Sequence, residues 1–259
     1  MPGGAPEAMK RILFVHAHPD DAEFLASGTL AMLARAGHEV IIATMTSGDC
    51  GSVQYGPDEI ARIRKGEAER AAAVIGARHE WLGFSDLAIF VDDRSRREVT
   101  AALRRLRPDI VMTASPVDYH CDHEATSKLV TDACFGCSAP NYAAPGGWAA
   151  MEAIPHLYYC DPAEGIDRDG RQILPEFVVD VGSWMDVKRR MLEEHASQRH
   201  WLAQQHGMDD YIETMVAWCR SRGALAGLEF GEGFRQYGGH AYPRTPLLQE
   251  LLGDVVRRL

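Results

Sequence analysis

The sequence predicts an α/β fold, with a Rossmann-like, mostly parallel sheet covered by helices on both faces and a less regular C-terminal portion. Short apolar runs alternate with longer segments of helical periodicity through the first half of the chain. Since each parallel strand pair needs a crossover helix, this alternation favours a parallel sheet. The predicted strands are 11–15, 39–46, 79–82 and 109–113, and the predicted helices are 23–36, 58–75, 95–106 and 122–134.

Residues typical of helix ends support these assignments. Asp58 is a suitable N-cap for the second helix, Gly37 and Gly76 stop the first two helices, and Pro108 ends the third. The second half is less regular. Its predicted strands are 156–160 and 177–181, its predicted helices are 185–205, 209–222 and 247–258, and its loops are 141–147 and 234–243.

Length and composition fit one large domain. The chain has 259 residues, of which 46% are hydrophobic and 25% charged, and this is enough for a substantial core. We expect a single domain over 1–259, with a flexible leader at 1–10, a Rossmann-like metal-binding part at 11–135, and a C-terminal part at 136–259 that completes the fold. The aromatic and glycine-rich loop 234–243 is expected to be an ordered loop, a pocket wall or a subunit contact.

Charge and cysteine usage exclude several classes of protein. The 37 acidic residues outnumber the 27 basic ones, and the net charge of -10 disfavours nucleic acid and anionic membranes as partners. The first apolar run is too short and too polar for a signal peptide or a membrane span, so we expect a cytoplasmic protein. The six cysteines do not predict a disulfide scaffold, and Cys134 and Cys137 form a lone C-x-x-C pair.

Four polar side chains follow the first predicted strand. His16 and His18 are two residues apart, so a strand turns them to the same side, and Asp20 and Asp21 fall at the first turn of the next helix. Adjacent helical residues point about 100° apart, so we expect the two carboxylates to have different tasks. Imidazole and carboxylate ligands together suit a divalent ion such as zinc, and a remaining carboxylate can act as a base.

A second cluster follows the strand at 109–113. His120 and His123 are three residues apart, which suits one face of a turn or helix start. Both clusters fall at the carboxyl ends of strands, where open α/β sheets bind ligands. Two histidines and one aspartate with an open position are typical of a catalytic zinc. Spacing alone leaves open which histidine of each cluster is the ligand, although a hydrogen bond at the strand end is the favoured interpretation of His16.

These residues resemble the LmbE/PIG-L family of zinc-dependent N-acetylglucosaminyl deacetylases. The resemblance rests on a His-Pro-Asp-Asp element at 18–21, a Ser-Gly-Thr-Leu element at 27–30 and a His-x-Asp-His element at 120–123. It is strong over residues 11–130 and thinner afterwards, where Phe177–Val181 and His195 still fit. The charged segment around His195 favours a structural role in a helix hydrogen bond.

The resemblance implies that zinc is bound by His18, Asp21 and His123. It implies that Asp20 is the general base on a zinc-bound water. It also implies that His120, in its protonated form, stabilises the oxyanion or protonates the departing amine.

Three further residues are implied to line a sugar pocket, namely Asp49, Arg64 and Asp86. The family usually has glutamate where Asp49 stands, so this contact differs by one methylene. Without the resemblance, the expected roles are an exposed helix ion pair with Glu67 for Arg64 and a loop cap for Asp86.

The implied function is removal of an N-acetyl group from a small N-acetylated substrate of the N-acetylglucosamine type, by a homo-oligomer, a trimer or a hexamer. One alternative is a metal-dependent amidohydrolase acting on a non-sugar amide, including a (β/α)8 barrel enzyme, which would need eight strand–helix units. Another is a non-catalytic metal- or nucleotide-binding module. The turn after the first strand lacks G-x-G-x-x-G, which disfavours a dinucleotide.

Overall fold

A computed structural model describes residues 8–199 and 211–259. Its centre is one sheet of eight strands in the order β3-β2-β1-β4-β5-β7-β6-β8. The first five strands of that order run parallel, and β7, β6 and β8 are attached in antiparallel pairs. The strands are β1 Arg11–His16, β2 Glu39–Thr46, β3 Arg78–Phe84, β4 Ile110–Thr113, β5 His156–Cys160, β6 Phe177–Asp180, β7 Gly231–Gln236 and β8 Val256–Arg258.

Helices cover both faces of the sheet, which confirms the predicted fold class. Along β1, Ile12 and Phe14 pack into one buried apolar cluster, while Leu13 and Val15 pack into a second one on the opposite face. A strand buried on both faces reads as a continuous apolar run, as this one does. The helices are α1 Asp21–Leu25, α2 Ser27–Arg35, α3 Pro57–Ala73, α4 Asp93–Leu106, α5 Cys121–Gly136, α6 Met185–Glu193, α7 Tyr211–Leu225 and α8 Leu247–Leu252.

The helix predicted at 23–36 is two helices, because the backbone breaks at Ala26. The N-terminus of α2 is capped from far along the chain. The Glu232 carboxylate accepts the backbone N–H groups of Gly28 at 2.9 Å and Thr29 at 2.8 Å. These are N–H groups that a helix start leaves without partners. Tertiary contacts, rather than local sequence, therefore decide where α2 begins.

The same carboxylate pairs with a buried cation. Lys188 of α6 donates to Glu232 Oε1 at 2.5 Å, and the side chains of both residues are almost fully buried. Lys188 also donates to the backbone carbonyl of Glu23 at 2.8 Å and lies 3.2 Å from the Ser27 hydroxyl. This buried pair joins α6 and β7 to the junction between α1 and α2.

The C-terminal part departs most from the predictions. Residues 231–236 form β7, although the sequence analysis placed 234–236 in a loop. The helix predicted at 247–258 ends at Leu252, because Gly253 has a φ of 61° and residues 256–258 pair with β6 instead. The helix predicted at 185–205 is interrupted after Glu193, and residues 196–199 are helical again. Its last residues, like the start of the helix predicted at 209–222, lie outside the described residues.

The N-cap predicted at Asp58 is wrong, because the cap of α3 lies two residues earlier and the helix begins at Pro57. Pro57 occupies the first turn of α3 behind the cap Gly56, a position that suits proline because its missing N–H would lack a helical partner.

The sheet is open, with β3 at one edge and β8 at the other. A (β/α)8 barrel is therefore wrong for this chain. In the described part of the chain, every helix is too short or too polar to cross a membrane.

Candidate metal centre and active site

The two predicted polar clusters meet at the carboxyl edge of the parallel strands. The loop after β1 carries His18, Asp20 and Asp21, and the loop after β4 leads into α5 with His120 and His123. Because β1 and β4 are hydrogen-bonded neighbours, the two loops leave the sheet side by side. Strand pairing thus brings together His18 and His123, which are about a hundred residues apart in the sequence.

The three residues implied as metal ligands approach one another. His18 Nδ1 lies 3.3 Å from His123 Nε2 and 3.5 Å from Asp21 Oδ2, and His123 Nε2 lies 3.5 Å from Asp21 Oδ1. Atoms bound about 2.0–2.2 Å from one tetrahedral zinc ion are about 3.3–3.6 Å apart. Two imidazole nitrogens and a carboxylate at these separations fit a divalent cation.

The neighbouring histidines also have ligand atoms in this region. Those of His18, His120 and His123 all lie within 4.8 Å of one another, and so do those of His16, Asp21 and His123. The described residues thus form a His/Asp site that could hold a metal ion, with more donors than one ion needs.

Asp21 is held by the strand that precedes it. Its Oδ2 lies 2.5 Å from His16 Nδ1 and accepts the backbone N–H of His18 at 2.7 Å. His16 is fully buried at the end of β1, which agrees with the hydrogen-bonded role favoured from the sequence. Burial alone would raise the pKa of Asp21, but the imidazoles of His16 and His123 outweigh burial and keep this pKa well below its usual value.

Each candidate histidine ligand has a carboxylate behind it. His18 Nε2 lies 3.3 Å from Asp122 Oδ2, and His123 Nδ1 lies 3.1 Å from Asp118 Oδ1. Both carboxylates belong to nearly fully buried residues. A carboxylate on the second ring nitrogen fixes the orientation and tautomer of a metal-binding histidine. The site is therefore shaped by a second layer of acidic residues.

Burial would lower the pKa of His18, yet the carboxylates of Asp122 and Asp21 raise it to about 10. Protons and a metal ion therefore compete for this ring, because a histidine must be deprotonated at the nitrogen that binds a metal.

Asp20 adopts a backbone conformation that is uncommon for a residue with a side chain. Its φ is 108° and its ψ is -20°, and such residues cost of order 1–3 kcal/mol unless their surroundings hold them. The Tyr211 hydroxyl donates to Asp20 Oδ2 at 2.5 Å, and Arg64 Nη2 lies 3.5 Å from the same oxygen. Burial raises the pKa of Asp20, although the Arg64 guanidinium opposes this effect. In the described part of the chain, hydrogen bonds engage Oδ2 and leave Oδ1 unengaged.

Arg64 is buried beneath this loop rather than exposed on α3. It donates to the carbonyl of Pro19 at 2.6 Å and to that of Gly48 at 3.3 Å. A side chain at Gly48 would clash with it, since a Cβ there would lie 2.2 Å from Arg64 Nη1. The alternative of an exposed ion pair with Glu67 is wrong, because the Glu67 carboxylate binds the backbone and hydroxyl of Ser197.

Asp49 and Asp86 connect the loops after β2 and β3. Asp86 accepts the N–H groups of Gly48 at 3.1 Å and Cys50 at 3.0 Å, and its own N–H donates to Asp49 Oδ1 at 2.7 Å. Both side chains are half-buried. Asp86 thus has the loop-capping contacts that the sequence suggested without the resemblance, and a sugar contact stays a prediction for Asp49, Arg64 and Asp86.

His120 caps the N-terminus of α5 with its ring. Its Nδ1 accepts the N–H of Asp122 at 3.2 Å, which leaves Nε2 as the protonated nitrogen of a neutral ring. Burial lowers the pKa of His120, and the nearby His18 and His123 lower it further. The surroundings therefore favour a neutral hydrogen-bond donor over the protonated form that the resemblance implies.

His195 is fully buried just after α6, outside any helix. Its Nε2 lies 3.4 Å from Glu23 Oε1, and this carboxylate raises the pKa of His195 against the effect of burial. The structural role thus includes a contact with the first helix, and the backbone carbonyl of His195 accepts the N–H of Arg199 in the helical segment that follows.

Sequence reasoning missed three residues of the site. Asp118 follows β4 by five positions, and an acidic residue two places before His120 was an available signal. Tyr119 is 66% exposed, and its ring lies 5.6 Å and 5.8 Å from the rings of His120 and His123. Tyr211 is buried and nearly two hundred residues from its partner Asp20, so no local pattern could have revealed it.

Residues 13–134 match the family model described as PIG-L: GlcNAc-PI de-N-acetylase. The resemblance to the PIG-L family is confirmed. The matched PIG-L segment contains most of β1, all of β2 to β4 and nearly all of α5, and with them every candidate ligand and both proposed catalytic residues. It ends before β5, so Tyr211 lies outside it.

Similar proteins extend over most of the chain. A diacetylchitobiose deacetylase from Thermococcus kodakarensis is 25% identical over 246 residues, which are 88% of this chain and 83% of that protein. A 1D-myo-inositol 2-acetamido-2-deoxy-alpha-D-glucopyranoside deacetylase from Rhodococcus jostii is 29% identical over 238 residues, which are 73% and 82% of the two chains. The structure of N,N'-diacetylchitobiose deacetylase from Pyrococcus horikoshii superposes with a TM-score of 0.77 at 26% identity, covering 92% of this chain and 88% of that one.

Proposed function

We propose that this PIG-L protein is a zinc-dependent N-deacetylase that acts on a small N-acetylglucosamine-type glycoconjugate. The observation that carries the proposal is the meeting of His18, Asp21 and His123 within 3.3–3.5 Å of one another, directly beside Asp20. The relatives named as deacetylases of diacetylchitobiose and of an inositol-linked acetamido sugar support the substrate class.

His18, Asp21 and His123 would hold the cation. When bound, zinc supplies a Lewis acid for the acyl carbonyl and brings the pKa of a coordinated water to about 7. Asp118 and Asp122 keep the two imidazoles oriented through their second nitrogens.

Asp20 has the features of a general base. Its Oδ1 accepts a proton from the attacking water as the new carbon–oxygen bond forms at the acetyl carbonyl. Burial favours the protonated carboxyl that results. When the carbon–nitrogen bond breaks, Asp20 returns that proton to the departing nitrogen, and the products are acetate and a free amine.

His120 acts as an electrophilic group in this scheme. Its Nε2–H donates a hydrogen bond to the oxygen that gains negative charge, as preorganised donors do in acyl transfer. Transfer of a proton to the amine is assigned to Asp20, because a neutral imidazole whose Nδ1 accepts the Asp122 N–H is a poor acid.

Tyr119 offers a surface for the substrate. The exposed ring lies at the edge of the rings of His120 and His123. An amphipathic ring at the mouth of a polar site suits the apolar face of a pyranose.

The test is hydrolysis by the zinc-loaded protein of N-acetylglucosamine, N,N'-diacetylchitobiose and a non-sugar control, N-acetylalanine, with acetate and free amine both measured. We expect both products from a sugar, none from N-acetylalanine, and none from Asp20→Asn. Release from N-acetylalanine alone would favour the non-sugar amidohydrolase, while release from none of the three would overturn the proposal.

A further inference from the structure

A tyrosine from the C-terminal half of the chain touches the proposed general base. Tyr211 stands where the described part of α7 begins, it is 2% exposed, and its hydroxyl donates to Asp20 Oδ2 at 2.5 Å. Its ring packs edge-on against Phe24 of α1, with 5.1 Å between centroids. The tyrosine is therefore wedged against the short helix that follows Asp20.

The contact matters because Asp20 needs support. Asp20 has a φ of 108°, a backbone conformation that is unfavourable for a residue with a side chain, so contacts must hold its carboxylate in place. Among the described residues, the Tyr211 hydroxyl and the Arg64 guanidinium contact the Asp20 side chain, and both meet Oδ2. The Arg64 guanidinium also donates to the carbonyls of Pro19 and Gly48, whereas the Tyr211 hydroxyl donates to Asp20.

We propose that Tyr211 is a positioning residue, whose hydroxyl fixes the Asp20 carboxylate by Oδ2 so that Oδ1 is the oxygen that takes the proton. The inference rests on the proposed function, in which Asp20 is the general base. A base that is held in one orientation before reaction reaches the transition state with less loss of freedom. Tyr211 touches neither the substrate nor the candidate metal ligands in this assignment.

The experiment compares wild type with Tyr211→Phe, using the full-length, zinc-loaded protein. Phenylalanine retains the ring that packs against Phe24 and removes only the hydroxyl. Tyr158→Phe is the matched control, because Tyr158 is also buried and its hydroxyl bonds to Gln249 and to the N–H of Leu248 in α8 instead of to Asp20. Each protein is assayed for kcat, KM and bound zinc, and crystal structures are determined for wild type and Tyr211→Phe.

For Tyr211→Phe, we expect kcat to fall about tenfold with KM within about twofold, because only the orientation of the base changes. Bound zinc is unchanged, and the crystal structure shows the Asp20 carboxylate rotated while His18 and His123 stay in place. Tyr158→Phe keeps its kcat. An unchanged kcat in Tyr211→Phe, or an Asp20 carboxylate that does not move, would overturn the assignment.

The crystal structures keep the two proposals separate. If wild type hydrolyses none of the N-acetyl sugars, the proposed function fails, and the position of the Asp20 carboxylate in Tyr211→Phe still decides the role of Tyr211. A carboxylate that stays in place then counts against positioning, and a rotated one supports it.

Discussion

Asp118 Oδ1 lies 3.1 Å from His123 Nδ1, while the other nitrogen of the same ring approaches His18 and Asp21. Asp118 also accepts the N–H of His120 at 3.1 Å. One nearly fully buried carboxylate thus fixes the orientation of the His123 ring and the backbone of the loop that carries His120.

Replacing Asp118 should weaken metal binding without removing a ligand. For Asp118→Asn we expect a zinc affinity about 10–100-fold lower, the usual cost of losing an outer-layer carboxylate. Competition with a chromophoric chelator measures it. Asp132→Asn is the control, since Asp132 lies near the other end of α5 and pairs with Arg96 and Lys128. An affinity equal to that of wild type would show that Asp118 does not orient His123.

Removing a candidate ligand should have a larger effect. We expect wild type to hold about one zinc ion per chain, and His123→Ala to lose most of it after dialysis, by elemental analysis. His156→Ala should retain the metal. His156 is the first residue of β5, at the amino ends of the parallel strands and away from the carboxyl ends that carry the site, and it bonds to Thr245. Full zinc retention by His123→Ala would refute the ligand assignment.

His120→Ala separates a hydrogen-bond donor from a ligand. As a donor to the developing oxyanion, His120 should contribute about 10²–10³-fold to turnover, and the variant should still bind zinc. Turnover and zinc content are measured on the same preparation. Loss of zinc would make His120 a ligand, which the grouping of its ring with His18 and His123 also permits.

Glu232→Gln tests the buried ion pair. The change leaves the Lys188 ammonium in a buried site without its counter-charge, which costs about 3–5 kcal/mol of unfolding free energy. Urea denaturation at neutral pH measures the loss. Asp169→Asn, which breaks an exposed pair with Arg171, should leave the midpoint almost unchanged. Equal urea midpoints for Glu232→Gln and Asp169→Asn would show that the buried ion pair does not stabilise the fold.

Protonation of His79 should lower the free energy of unfolding as the pH falls. Burial lowers the pKa of this ring from 6.5 to about 4. Between these values the unfolded chain binds the proton and the folded one does not, so the contribution of His79 is full above pH 6.5 and is lost as pH falls towards 4. Thermal melts at pH 7 and pH 4.5 should show a smaller drop in Tm for His79→Gln than for wild type. An identical drop would exclude His79 as a source of acid sensitivity.

The parallel half of the fold could be predicted because its signals are local. The apolar run before His16 and the glycine at 37 each act within one strand or one helix end, and the edge where ligands gather follows from strand direction. The candidate ligands on two loops were therefore predictable as a group. What the sequence did not disclose is the protonation of His120, which depends on a ring nitrogen accepting the Asp122 N–H.

The remainder depends on contacts between distant residues. The break at Ala26 follows from the Glu232 carboxylate, and β7 was missed because its glycines have low strand propensity. The end of α8 depends on the pairing of 256–258 with β6. An exposed ion pair was the alternative for Arg64 because its helix is rich in charged residues. In the structure, the loop that carries Asp20 buries the Arg64 guanidinium.

The contact between Glu232 and Gly28 spans 204 positions of the chain. During translation, the turn that bears Asp20 and Asp21 emerges long before the carboxylate that caps the following helix. A nascent chain that already displays every candidate ligand therefore still has an unfinished α1–α2 junction. Metal capture before Glu232 emerges would therefore take place beside a helix that still lacks the carboxylate capping its first N–H groups.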